Sequence, residues 1–269
     1  MAGLSQAAHT YVQAVLDDNP IAYWRLGNDA SDSSAFARPA GSVDGTTGSV
    51  TFGQPSLVPS ISGNGAVALS GDSAGQRRIV IPGFEKIGPN GHSAEYWVNV
   101  SAFPTSCCDN LVGDGEAGGD FWMMNYLIGP GQGDTGAIRP HYSVGNSPVA
   151  LTTTVPNVLS LDTVYHVVTT WDPNVAVNNG QIWVNGALWL QGTVTGNVPA
   201  PGTTGDNTIF IGRDGRENRP SNFIIDEVAL YDYALSPEQI QNHYNLGLVP
   251  EPASVSLLGL ALMGALVRR

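Results

Sequence analysis

Residues 223–245 read FIIDEVALYDYALSPEQIQNHYN. Their reading decides the fold, because the pattern changes from strand to helix within a few positions. The run IIDEVALYD (224–232) is apolar apart from its acids and has the length of a buried strand. Ser236, Pro237 and Gln239 then supply an N-cap, a proline at the first helical position and a capping-box glutamine. This predicts a helix over 237–246, closed by Gly247. Inside the strand, Asp226 and Glu227 are the unusual residues, since a carboxylate in an apolar element is costly to bury unless it is paired or bound to a metal. Strict alternation sends the two to opposite faces, so they cannot act together on one substrate.

Working outward, strand-like segments recur at 22–27, 66–71, 77–83, 94–101, 165–172, 181–186 and 207–214. Most alternate with period two, as Tyr165, Val167, Thr169 and Trp171 do against His166, Val168 and Thr170. That is the signature of antiparallel strands with one face in a core. Asn185-Gly186, between QIWV and ALWL, predicts a tight hairpin, because both residues accept the positive φ of a type I′ turn. Segments rich in Gly, Asn, Asp and Pro separate the strands, such as GDGEAGGD (113–120). A second helix is predicted over SQAAHTYVQAVL (5–16), ending before Asn19-Pro20.

Composition narrows the function. The chain has 269 residues, 13% charged, with 33 glycines and 42% hydrophobic residues, so it is turn-rich yet able to fill a core. Its net charge is −12, and Lys86 is the only lysine. Without basic clusters it is unsuited to nucleic acid, whose phosphates need Lys and Arg; divalent cations and neutral glycans suit it better. Cys107 and Cys108 are adjacent and cannot staple distant segments. A disulfide between neighbours needs a strained ring, so two thiols on a loop or in the core are expected, with a vicinal or intermolecular disulfide as the alternative. No Cys/His spacing matches a zinc site, and no G-x-S-x-G, H-E-x-x-H or P-loop occurs. Glu116 and Asp120 lie on a glycine-rich loop that offers no rigid positioning.

Three blocks resemble the laminin G-like, concanavalin A-like jelly-roll superfamily: YVQAVLDDNPIAYWRLGN near the start, AEYWVNV with YHVVTTWD and IWVNG in the centre, and IFIGRDG with the closing 223–245 stretch. The resemblance implies an all-β fold over residues 1–248, a two-sheet antiparallel jelly-roll sandwich with short N- and C-terminal helices. In such a fold the first and last strands pair, so AYWRLG and IIDEVALYD are expected as neighbours. The resemblance also implies a calcium ion beside the acidic residue of the last strand, with Asp226 and Asp32 (in DASDSS, 29–34) as candidate ligands. Oxygen donors on loops are what calcium prefers; the bland alternative is a salt bridge from Asp226 to Arg25. The E-x-D-x-x-E strand motif of related laminarinase-type enzymes is absent, which argues against catalysis. The six tryptophans are expected mainly in the core. Trp122, in GGDFWMMNY beside the acidic glycine loop, is the candidate for a ligand surface.

The last twenty-one residues, VPEPASVSLLGLALMGALVRR, form a separate unit over 249–269. Pro250, Glu251 and Pro252 precede an uncharged span, predicted as a hydrophobic helix, that Arg268 and Arg269 close. This order resembles the PEP-CTERM sorting signal. The resemblance implies an exported protein of a Gram-negative bacterium, held transiently in the inner membrane until an exosortase removes the tail. The first twenty residues contain neither a basic nor an apolar leader region, so a signal peptide is expected to be encoded upstream of Met1. Together these features predict a non-enzymatic binding or structural module of the cell surface or extracellular matrix, with a polysaccharide or surface protein as partner. A glycoside hydrolase or lyase on the same sandwich is the alternative.

Overall fold

The computed structural model describes residues 10–31, 33, 42–44, 50–70, 77–81, 91–114, 123–130, 135–144, 147–151, 159–195, 208–212 and 221–249; residues 42–44, 114, 143–144 and 147–150 are described by their backbone alone. The chain runs α1 (Tyr11–Asp17), β1 (Ala22–Trp24), β2 (Ser42–Asp44), β3 (Val50–Pro55), β4 (Gly65–Leu69), β5 (Arg78–Ile81), β6 (His92–Ala102) and β7 (Cys108–Asp114). It continues with β8 (Met124–Ile128), β9 (Ile138–Val144), β10 (Ser147–Ala150), β11 (Val164–Trp171), β12 (Gly180–Val184), β13 (Ala187–Gly192), β14 (Ile209–Gly212), β15 (Asn222–Tyr231) and α2 (Pro237–Leu248).

The strands form two antiparallel sheets. One follows the order β13-β12-β11-β6-β15-β4-β3, with β1 added beside β15; the other follows β10-β9-β8-β7-β14-β5-β2. The predicted pairing of the terminal blocks holds, with Tyr23 opposite Ala229 and Trp24 opposite Val228. Between the sheets lies one core that includes Trp24, Val67, Ile79, Val98, Leu127, Trp171, Ile211 and Ile225. Each large apolar side chain buried there contributes about 1.5–3 kcal/mol.

A second apolar cluster covers the far side of the larger sheet, where Tyr23, Trp97, Val168, Trp183 and Tyr231 meet Tyr11 and Val15 of α1 and Ile240 of α2. Alternation explains it: Trp97 and Val168 occupy the positions of β6 and β11 that point away from the inter-sheet core. Both helices start where their caps dictate. Thr10 accepts a bond from Gln13 N, so α1 begins at Tyr11; residues 5–9 of the predicted helix lie outside the described residues. Ser236 and Gln239 form the reciprocal capping box of α2.

Gly247 does not close α2 but lies within it, since the helix runs to Leu248. A Cβ at Gly247 would stand 2.5 Å from the Trp97 ring, so the helix can approach the sheet only without a side chain there. The predicted hairpin is present, with Asn185 at φ 51° and Gly186 at φ 73° joining β12 to β13.

The core role of the tryptophans holds for Trp24, Trp97, Trp171 and Trp183 but not for Trp189, which is 39% exposed. It sits on the edge strand β13, at a bulge opposite Ile182 and Trp183. Cys107 and Cys108 are in no disulfide among the described residues, and the second of them is buried. Among the described residues no helix is long and apolar enough to cross a membrane. The tail predicted as a hydrophobic helix, residues 253–267, lies outside the described residues.

Candidate functional site

The carboxylates of β15 do not obey strict alternation. Glu227 adopts φ 51°, and the register with β6 shifts between Asp226 and Ala229, which marks a β-bulge. The bulge lets both acids reach groups on the helix-covered side of the sheet, which corrects the expectation of opposite faces. Glu227 accepts from Arg25 Nε at 3.1 Å, from Asn64 Nδ2 at 3.0 Å and from the Tyr23 hydroxyl. Arg25 therefore pairs with Glu227, not with Asp226, because β1 lies beside β15 with Trp24 opposite Val228, at the C-terminal side of the bulge.

Asp226 is fully buried and turns instead to the 56–58 segment. Its Oδ2 accepts from Ser56 Oγ and Leu57 N, both at 2.9 Å, while Oδ1 has no hydrogen-bond partner among the described residues. Burial, followed by the nearby Glu227 charge, pushes its pKa up to about 7 despite the bonds from Leu57 and Ser56. A buried carboxylate oxygen without a donor has the chemistry of a calcium ligand, since it is a hard base. Asp226 thus fits one ligand position. No group of three His, Cys, Asp or Glu that could hold a metal occurs among the described residues, and Asp32 lies outside them. Trp122, Glu116, Asp120, Pro250, Glu251, Pro252, Arg268 and Arg269 also lie outside the described residues.

A larger polar centre lies between the same sheet and the two helices. Glu95 of β6 is fully buried and uses both oxygens. Oε1 accepts from Tyr11 Oη at 3.1 Å and meets His166 Nε2 at 2.9 Å; Oε2 accepts from Tyr231 Oη at 3.1 Å and meets His243 Nδ1 at 2.9 Å. The other nitrogen of His243 stands 3.0 Å from Asp18 Oδ2, close enough for an ion pair but off line for a hydrogen bond.

Burial alone would raise the Glu95 pKa and lower that of His243. The mutual charge wins in both cases: Glu95 is held well below the usual carboxylate range, and His243 is raised to about 10. At neutral pH the pair is therefore ionic. It ties α1, β6, β11, β15 and α2 together and faces no open cleft. A third buried pair, Arg77 with Asp109, also binds Ser221 and does the same for β7 and the start of β15.

Sequence reading passed over Glu95 and His243. The available signal was parity: Glu95 shares its strand face with Trp97, and His166 shares one with Val168. A carboxylate and an imidazole at helix-facing positions of adjacent strands are a potential pair once the register is known.

Comparison with known proteins agrees with this architecture. The family described as "Concanavalin A-like lectin/glucanases superfamily" matches residues 72–241, and the PEP-CTERM protein-sorting motif matches residues 248–269. No curated protein matches the chain. Domain 4 of AbnA, a GH43 extracellular arabinanase from Geobacillus stearothermophilus solved in complex with arabinotriose, is similar with a TM-score of 0.59 and 20% identity, over 84% of this chain and 98% of that one. The botulinum neurotoxin serotype D binding domain has a TM-score of 0.60 and 16% identity, over 86% of this chain and 52% of its own. The serotype D domain in complex with N-acetylneuraminic acid gives 0.59 and 15%, over 86% and 52%. This chain spans about half the length of those neurotoxin domains. At such identities the likeness is one of fold. A sorting motif of this type marks an exported, cell-surface protein and implies processing by an exosortase. The two-sheet sandwich, the pairing of its terminal strands and a family match across more than half of its length place this chain in the concanavalin A-like lectin/glucanases superfamily, with a PEP-CTERM sorting motif at its C-terminus.

Proposed function

We propose that the chain is a non-enzymatic binding module of the cell surface or extracellular matrix, anchored transiently in the inner membrane by its tail, with a neutral polysaccharide as partner. The observation that carries this reading is how the sheets use their acids. Glu95 is consumed by two histidines and two tyrosines, Glu227 by Arg25, Tyr23 and Asn64, and Asp109 by Arg77 and Ser221. A glycosidase needs two carboxylates facing one open cleft at a set separation. These three hold the fold together instead. The acidic surface, net −12, suits an uncharged glycan over a polyanion. Domain 4 of the arabinanase, solved with arabinotriose, is a glycan-bound relative in fold and supports the same reading.

The test is a panel of neutral and acidic polysaccharides, with retention of the full chain and release of reducing ends measured in parallel. Retention on a neutral polymer without new reducing ends is the expected result. Release of sugar would make the protein a hydrolase or lyase, and no retention on any polymer would leave a surface protein as partner.

Calcium belongs to the same proposal. Asp226, with Asp32 as a second ligand, would hold the ion, and the unpartnered Oδ1 supports it.

A further inference from the structure

A cavity of about 290 Å3 opens on the helix-covered side of the larger sheet, at the end of β11 and β12. Its floor is Thr170 and Gln181, which stand opposite each other in register. The 172–178 loop forms one wall, with Asp172, Val175 and Asn178; the start of α2, at Pro237, forms the other.

The frame is rigid. Asp172 Oδ1 accepts from Asn174 N at 2.9 Å and from its amide at 3.1 Å, which closes the loop on itself. Asn179 binds both the N–H and the carbonyl of Val194, at 2.7 and 3.0 Å. Gln181 Oε1 is held by Trp183 Nε1 at 2.9 Å, and Asn178 N donates to Thr193 Oγ1 at 3.0 Å.

Three polar groups on this frame remain unused. Thr170, Asp172 and Asn178 line the cavity, and the Thr170 hydroxyl, the Asp172 Oδ2 oxygen and the Asn178 side-chain amide bond to no described residue. Between them they offer a strong acceptor, a hydroxyl that both donates and accepts, and an amide that does both. Val175, 43% exposed, and Pro237 add an apolar surface. Idle polar groups on a fixed frame beside an apolar wall match a sugar ring, which presents hydroxyls at its edge and C–H groups on its face. The volume lies just below the ~300–1,000 Å3 of sites for drug-sized ligands, so it suits one ring and not a chain.

We propose that the cleft between the 172–178 loop and the start of α2 is a subsite for one neutral sugar residue, held by Thr170, Asp172 and Asn178. The proposal rests on the glycan-binding reading above and places it on a named surface. Asp172 accepts from two adjacent hydroxyls of the ring, Asn178 bridges a third, and Val175 covers the C–H face.

The test is saturation-transfer NMR and calorimetry on the full chain with methyl glycosides of arabinose, glucose, galactose and N-acetylglucosamine. One of them is expected to bind with Kd on the order of 1 mM. Asp172→Asn keeps the loop closure, and Asn178→Gly removes an amide while keeping a residue that suits φ 55°; each is expected to weaken binding about tenfold or more, with little change in melting temperature. His141→Ala, on β9 of the opposite sheet, should leave binding unchanged. If binding survives both cleft variants, the site is elsewhere, although the glycan reading stands. Retention on a polysaccharide with no methyl glycoside bound would overturn the subsite alone. Failure of both polymer and monosaccharide would remove the reading on which it rests.

Discussion

Replacing Glu95 by glutamine should expose how much of the fold depends on its buried charge. In the wild type four donors converge on the Glu95 oxygens, and His243 carries the compensating charge. A glutamine keeps one acceptor, turns an NH2 group towards donors and leaves His243 without its nearest anion. Breaking a buried pair in this way costs about 3–5 kcal/mol.

The rise of His243 from 6.5 to about 10, to which Asp18 also contributes, sets an upper figure of about 5 kcal/mol at ~1.4 kcal/mol per unit. Its sign fixes the pH profile. A group with a raised folded-state pKa contributes fully below its unfolded value, so the stabilisation is complete below 6.5 and fades as pH climbs to about 10. Glu95, lowered on folding, contributes above the ordinary carboxylate range and loses this in acid. The cluster is therefore worth most between about pH 4.5 and 6.5.

Urea unfolding across pH 4–10 is the assay. With an m-value of about 3 kcal/mol/M, Glu95→Gln should lower the midpoint by roughly 1–2 M at pH 6 and flatten the decline between 6.5 and 10. The Asp226 titration is common to both proteins and cancels in the difference. A variant with the wild-type midpoint at pH 6 and the wild-type alkaline slope would refute the assignment.

Calcium should raise the wild-type melting temperature by roughly 5–10 °C at a hundredfold excess over Kd, and Asp226→Asn should abolish the rise. In chelator at pH 8 the Asn variant should be at least as stable as the wild type, because the pKa of about 7 means that the buried charge is disfavoured there. Equal wild-type melting with and without calcium, and no metal in elemental analysis, would end the calcium proposal. Gly247→Ala should cost about 1–3 kcal/mol by driving a methyl into Trp97, read as a lower urea midpoint. An unchanged midpoint would mean that α2 can lift off the sheet without cost. Removing residues 249–269 should leave a folded, monomer-sized domain with the wild-type melting temperature, since α2 already ends at Leu248; an aggregated product would show that the tail belongs to the core.

What could be read from the sequence follows from which physical signals are local. The hairpin at Asn185-Gly186 and the capping box at Ser236 were legible because each motif carries its whole cause within four residues. The β1–β15 pairing was legible through the family resemblance, which implies that the first and last strands close one sheet. The Glu227 bulge was not, because nothing in IIDEVAL announces a positive φ at a glutamate; Tyr23, Arg25 and Asn64, far away in sequence, hold it there. Gly247 reads as a helix stop until Trp97 is known to press against it.

The same distinction governs the acids. Alternation reports the face of a residue but not the register of its strand, so Asp226 and Glu227 drew attention while Glu95 did not. Yet Glu95 has the greater demand for partners and is fully supplied by two helices and two neighbouring strands. Once those carboxylates are taken by the fold, chemistry for a ligand must come from groups the fold leaves over. Thr170, Asp172 and Asn178 are such groups, and they share one cavity although Thr170 lies on a strand and the other two lie in the loop that follows. No motif search could find them, because what distinguishes them is the bonds they do not make.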